Sequence, residues 1–339
     1  MMNHKPIIVT GGAGFIGSNL IEALNRRGLT DILVVDHINH PGKTRNLERL
    51  RYRTYLEKNE FRRQLRSGGL PAPATVYHLG ACSSTTEFNE TYLEDNNVRY
   101  TRDLCEWTLS AGGRFVYASS AATYGNGEKG YSDADAVTPT LEPLNPYGCS
   151  KQRFDLWALN HGMLQRIAGL KYFNVYGPGE GHKGDMRSMI AKAYRQIRNA
   201  GEISLFKSHR AEYADGEQER DFVYVGDAVA MTLFFGDHPE LSGLFNCGTG
   251  QARTWNDLAS ALFDAMDIPP NIRYVEMPPE IRDKYQYHTR ADMSKARKAG
   301  YRRPFLPIEE GVRRYVKNYL AASVTSADAR EYRRRPTHS

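Results

Sequence analysis

Ile7-Ile8-Val9-Thr10-Gly11-Gly12-Ala13-Gly14-Phe15-Ile16-Gly17 is the stretch that decides the fold. Ile7-Ile8-Val9 is a short apolar strand. Glycine at 11, 14 and 17 lets the chain turn sharply, lets an anion approach backbone N–H groups at the positive end of a helix, and lets that helix pack closely on a sheet. Phe15, Ile16, Leu20, Ile21 and Leu24 then recur at helical spacing, and Gly28 supplies a stop. Ile32 to Val35 form a second apolar strand that ends at Asp36. A carboxylate about 20 residues beyond the glycines can accept hydrogen bonds from an adenosine ribose. The unit therefore predicts a dinucleotide site.

Further out, Val76 to Leu79, Arg114 to Ala118 and Ala168 to Phe173 read as strands, with helices near Asn97 to Ala111 and Tyr147 to His161. This alternation predicts an α/β fold, a Rossmann-type doubly wound parallel sheet. Beyond Tyr176 the pattern loosens into a glycine-rich loop, Gly177 to Gly184, and a helix from about Met186 to Asn199. Ile203 to Phe206 is a candidate strand, and His209 to Glu219 a polar loop. Strands at Asp221 to Val225 and Leu244 to Asn246 return the chain to the first domain. Thr254 and Asp292 are candidate caps for helices reaching about Met266 and Lys298. The expected division is a dinucleotide-binding domain over 1–176, with return segments near 221–250, and a smaller interleaved α/β substrate domain over 177–220 and 251–320. A weakly ordered basic tail over 321–339 completes it.

With 339 residues the chain can bury a substantial core. No apolar run approaches a membrane span, and Met1 to Pro6 leads straight into the first strand, so neither a membrane segment nor a signal peptide is expected. The four cysteines, 82, 105, 149 and 247, are scattered, which predicts no metal site and fits a reducing cytoplasm. The net charge of +6 lies largely in 45–66 and in the tail. Because no recognition module accompanies it, a solvated basic face is the preferred reading over nucleic-acid binding.

Tyr147-Gly148-Cys149-Ser150-Lys151 carries the chemistry. Four apart on a helix, Tyr147 and Lys151 share a face. A phenol is a poor base at neutral pH, and an adjacent ammonium favours its phenolate. Lys151 can also hold a cofactor ribose, and Ser119 or Ser120, just after a strand, can hydrogen-bond the reacting oxygen. Asp36 alone suggests NAD, yet His37, Lys43, Arg45 and Lys58 lie close enough in sequence to neutralise a 2′-phosphate. From the residues, the choice between NAD and NADP stays open.

The constellation resembles the extended short-chain dehydrogenase/reductase superfamily. Gly80 to Glu87, Asp95-Asn96-Asn97, Tyr117 to Gly125, Tyr172 to Pro178, Glu180 to Gly184, Arg220 to Asp227 and Tyr285-Gln286 narrow the likeness to the ADP-L-glycero-D-manno-heptose 6-epimerases, which prepare heptose for lipopolysaccharide. The likeness runs from about Ile7 to Tyr319. It implies bound NADP, an ADP-heptose substrate, a homo-oligomer and inversion at C6 through a transient 6-keto sugar. It implies Tyr147 and Lys183 as the two acid/base groups, with Lys151 and Ser120 assisting. It places Gly11, Gly14, Phe15, Ile16, Gly17, Asp36, His37, Lys43, Lys58, Leu79, Gly80, Ala81, Cys82, Ser83, Asn96, Lys151 and Val175 at the cofactor. It places Ser120, Asn174, Asp185, Lys192, Phe206, His209, Arg220 and Tyr285 at the substrate. A lysine base needs a depressed pKa, which a closed site near Lys151 is expected to supply. The chain departs from the family pattern at Leu79, Cys149, Lys171, Asp185 and Lys192. A 4,6-dehydratase needs an acidic pair where Ala121-Ala122 stand, and a 4-epimerase is not marked by Gly181 to Gly184. A non-catalytic cofactor sensor of the same fold often loses the Tyr or the Lys, and both are retained here.

Overall fold

A computed structural model describes residues 5–282 and 285–322. The part of the expected basic tail from residue 323 onward lies outside the described residues. Seven strands form one parallel sheet: β1 (Ile7–Thr10), β2 (Ile32–Asp36), β3 (Thr54–Glu57), β4 (Thr75–His78), β5 (Arg114–Ser120), β6 (Ala168–Tyr172) and β7 (Gly243–Cys247). Their order across the sheet is β7-β6-β5-β4-β1-β2-β3. β1 is central and pairs with β2 on one side and β4 on the other, Ile7 lying level with Ile32 and Thr75. The connections reverse direction at β1, and such a switch point opens a crevice at the carboxyl ends of the strands.

Period-two alternation sorts the core into two layers. Ile8, Leu33, Val35, Val76, Phe115 and Tyr117 face one side, while Val9, Val34, Tyr77 and Val116 face the other. The second face is covered by α1 (Phe15–Arg26) through Leu20, Ile21 and Leu24. The first is covered by α2 (Tyr100–Ser110) and α3 (Pro146–Asn160), with Leu104, Phe154 and Trp157 buried against it. A separate cluster joins α4 (Met189–Ala200), α6 (Trp255–Met266) and α7 (Ile308–Tyr315), while α5 (Val225–Asp237) returns to the sheet.

The strongest sequence patterns reappear with shifts of a residue or two, and Thr254 does cap α6, forming a reciprocal capping box with Asp257. Three differences are informative. β3 and a helix at Lys58–Ser67 occupy the segment read only as basic, because Phe61 and Leu65 supply a narrow buried stripe under the charges. Helix Ser294–Lys298 begins one residue later than a cap at Asp292 implies, although the Asp292 carboxylate still accepts the Ser294 N–H at 2.9 Å. The helix expected near Asn97 is preceded by a π-turn over Glu94–Arg99, and both Asn96 and Asn97 are buried there. Such widened turns recur at functional sites.

Candidate active site

The glycine turn after β1 is shaped by backbone contact. Gly11 has φ of 67°, and a Cβ on Gly17 would lie 2.1 Å from the Gly11 carbonyl oxygen. No side chain larger than hydrogen fits at position 17 without moving the main chain. α1 starts at Gly14 with no side-chain cap and no acidic residue in its first turn. Its N–H groups are thus left for an anion. Asp36 braces the turn from β2. Its carboxylate accepts the Ala13 N–H at 2.9 Å and the His37 N–H at 2.7 Å, and pairs with the Lys43 ammonium at 2.7 Å. His37 lies 3.1 Å from Glu57, and Lys58 donates to Asn96 at 2.9 Å. Burial, then the nearby Arg62 cation, lowers the Lys58 pKa.

From this turn a cleft of about 740 Å³ runs along the carboxyl ends of the strands. Every residue assigned by resemblance to the cofactor lines it, as do Tyr147, Lys151, Ser120, Lys183 and Asn174. The glycine cradle, the open helix end and the adjoining carboxylate fit a dinucleotide.

Asn145 caps α3 by accepting the Gly148 N–H at 2.8 Å, and Pro146 begins the helix. Tyr147, Lys151 and Asp155 then fall one turn apart on one face. Tyr147 shares a hydrogen bond with Ser120 at the end of β5. Lys151 donates to the Ala118 carbonyl at 2.8 Å. Burial pulls its pKa from 10.5 to about 8, partly opposed by the Asp155 carboxylate. Asp155 itself is fully buried, accepting from Tyr117 at 2.8 Å, Ser119 at 2.7 Å and Lys171 at 2.9 Å.

One electrostatic expectation is corrected and a second is sharpened. Burial raises the Tyr147 pKa, and the offset comes from the Ser120 hydrogen bond, because the Lys151 ammonium is turned toward Ala118. The Lys183 pKa is lowered as a closed site implies, by burial, opposed by Glu180, with no contribution from Lys151.

Lys183 sits in a tight turn over Gly181–Met186, its ammonium 5.6 Å from the centre of the Phe15 ring. The loop before it is bolted to the cradle. Asn19 donates to the Phe15 carbonyl at 2.9 Å and the Pro178 carbonyl at 2.8 Å, and Asn46 to the Ala13 carbonyl at 3.1 Å and the Gly179 carbonyl at 2.9 Å. Buried Glu180 accepts the Ser188 hydroxyl at 2.6 Å, tying the loop to the start of α4.

Arg220, Tyr285 and Phe206 gather beside Trp255, which borders the cleft. Arg220 is 7% exposed, its guanidinium 5.1 Å from the Tyr285 ring and 5.6 Å from the Trp255 ring. The His209 backbone N–H donates to the Tyr287 hydroxyl at 2.9 Å, and its ring lies 3.6 Å from Glu276. Asp185 and Lys192 are exposed and do not line the cleft. On α4, residues 190, 191, 193, 194 and 197 take the buried face, which turns Lys192 outward.

Asp155 and Trp255 went unnoticed in the sequence, and Asn97 was read only as part of a motif, with no role. Asn97 accepts the Cys82 N–H at 2.9 Å and donates to the Ser150 hydroxyl at 2.9 Å, joining the cleft loop to α3. Asp155 was findable, one helical turn past Lys151. Trp255 has no local signal, since its partners come from distant segments.

Residues 7–248 match the family model described as the NAD dependent epimerase/dehydratase family. The chain is 52% identical over 317 residues to an ADP-L-glycero-D-manno-heptose-6-epimerase of Nitratidesulfovibrio vulgaris, covering 93% of this chain and 98% of the relative. The Helicobacter pylori enzyme of that name superposes with a TM-score of 0.76 at 27% identity, covering 94% of this chain and 97% of its own. A Thermus thermophilus UDP-glucose 4-epimerase in complex with NAD gives a TM-score of 0.74 at 26% identity, covering 94% and 99%.

Proposed function

The chain belongs to the NAD dependent epimerase/dehydratase family, and from that membership we propose that it interconverts the D-glycero and L-glycero forms of ADP-manno-heptose by inversion at C6. It is an isomerase that uses a nicotinamide cofactor and a nucleotide-sugar substrate. The observation that carries the reading is one cleft bordered by the glycine cradle, by Tyr147 with Ser120 and Lys151, and by Lys183 on a separate loop.

The bound nicotinamide supplies a reversible acceptor for the C6 hydride. Tyr147 takes or returns the C6 hydroxyl proton, and Ser120 holds the same oxygen. Lys151 fixes the cofactor ribose, and the Ser120 hydrogen bond favours loss of the Tyr147 proton. Lys183, with its lowered pKa, serves the epimer whose hydroxyl points the other way. Arg220 grips the diphosphate, because a guanidinium binds phosphate through two bonds. NADP is the preferred cofactor. Lys43 and Lys58 stand around Asp36, where a 2′-phosphate would otherwise meet only a carboxylate.

In this reading residues 1–176, with the returning segments near 221–250, serve the cofactor, and 177–220 and 251–320 serve the sugar. Phe88, 74% exposed just before the turn that Glu90 ties to Arg153 of α3, suits a contact between copies of the chain. No helix among the described residues is long and apolar enough to cross a membrane. The four free cysteines fit a cytoplasmic setting.

The test incubates protein carrying its cofactor with ADP-D-glycero-D-manno-heptose and resolves the C6 epimers. Conversion should proceed without exchange of the C6 hydrogen into solvent. Absence of conversion with cofactor bound overturns the substrate, and washout of that hydrogen overturns the mechanism.

A further inference from the structure

Arg220 is almost wholly buried, and among the described residues no carboxylate pairs with it; its Nη1 donates to the Glu219 carbonyl at 2.7 Å. A buried guanidinium without a counter-charge is costly until an anion arrives. The Tyr285 and Trp255 rings lie against it, their centres 5.1 and 5.6 Å from the guanidinium carbon. The two rings are also joined to each other, since the Trp255 indole N–H donates to the Tyr285 hydroxyl at 2.9 Å. Trp255 is in turn held fast. It is the first residue of α6, immediately behind the Thr254 capping box, and packs edge-to-face on Phe222 at 5.2 Å. It also borders the cleft.

We propose that Trp255 is a positioning residue for the substrate's nucleotide diphosphate, holding the Arg220 fork against two joined rings so that the anion meets donors already aimed. The proposal rests on the assignment of Arg220 to the diphosphate. An arginine side chain free to swing must surrender rotamer freedom on binding, whereas a clamped one has already done so. Removing the clamp therefore weakens nucleotide binding and leaves the C6 chemistry, which belongs to Tyr147 and Lys183, unchanged.

The experiment uses the cofactor-loaded full chain with Trp255→Leu, Trp255→Phe and Arg220→Gln. It measures ADP affinity by calorimetry, and KM and kcat for epimerisation. Trp255→Leu should raise the ADP Kd and the sugar KM about tenfold with kcat within about twofold, and Trp255→Phe, which keeps a ring but loses the N–H, about threefold. A Trp255→Leu protein that retains cofactor and binds ADP like the wild type overturns the proposal, as does a fall in kcat at unchanged KM. If Arg220→Gln also leaves ADP binding unchanged, it is the assignment of Arg220 that has failed. Should the Leu variant not fold, a cycle of Trp255→Phe with Tyr285→Phe decides. Losses that merely add show two independent rings and overturn the lock, while a double variant no worse than either single one supports it.

Discussion

The glycine cradle and the aromatic box around Arg220 are built by opposite routes. The cradle takes its turn, its helix end and its bracing carboxylate from Thr10 through Asp36, and backbone contacts fix it. The box collects Phe206, Arg220, Trp255 and Tyr285 from four segments and holds them by ring contacts and one indole hydrogen bond. Backbone atoms cannot yield to an intruding methyl group, whereas side chains can re-pack. Changes at the cradle and at the adjoining catalytic helix should therefore act on turnover, cofactor retention and stability, and changes at the box on substrate affinity.

The largest effect is expected at the catalytic face. Tyr147→Phe removes the proton-transfer group and leaves the ring in place. Turnover should fall about 10³-fold, or about 4 kcal/mol on the barrier, with cofactor still bound. The check is epimer interconversion alongside the absorbance of the retained nicotinamide. A variant that keeps a tenth of the rate would remove Tyr147 from the mechanism. Next comes Gly17→Ala. Its Cβ would lie 2.1 Å from a carbonyl oxygen. Destabilisation of about 3 kcal/mol is expected, together with loss of cofactor, read by denaturant titration and by cofactor content after purification. Wild-type values for both would mean that the cradle yields as readily as a side chain, which breaks the contrast.

This contrast also explains what the sequence disclosed. The β1–α1–β2 unit was legible because apolar strands, spaced glycines and a terminal carboxylate are local signals. Tyr147 and Lys151 were legible for the same reason, lying one turn apart on a helix capped by Asn145. β3 was missed because its two apolar residues, Tyr55 and Leu56, sit in a short segment flanked by Arg53, Glu57 and Lys58, and gain their place only by pairing with β2. The box was reached only residue by residue through family likeness. Trp255 escaped even that, since its meaning lies in partners 30 or more positions away, such as Tyr285. The closed site that lowers the Lys183 pKa was likewise reached only through the likeness, since burial against the cradle is a tertiary fact that spacing along the chain does not report.

Lys151 tests whether the catalytic helix is kept for chemistry at a cost in stability. Its pKa is pulled from 10.5 to about 8 by burial, so between those pH values the unfolded chain binds more protons than the folded one. Stability contributed by this group therefore rises with pH across that window, and the full penalty, about 3 kcal/mol, stands below pH 8. Lys151→Met should be inactive yet more stable by about 2 kcal/mol at pH 7, after allowing about 1 kcal/mol for the lost bond to Ala118. The gain should shrink by pH 9.5, as measured by denaturant titration at the two pH values. An equal gain at both would show that proton linkage is not its source.

The smallest effect probes the boundary between the two regions. Asn46 donates to the carbonyls of Ala13 in the cradle and Gly179 in the loop leading to Lys183. If that loop is an extension of the cradle, Asn46→Ala should cost about 1 kcal/mol of stability and loosen the cofactor severalfold, with the sugar KM unchanged. Cofactor affinity by fluorescence titration and sugar KM by epimer resolution separate the cases. A higher sugar KM at unchanged cofactor affinity would instead assign the Lys183 loop to the aromatic box. The base would then move with the substrate-binding side rather than with the glycine turn.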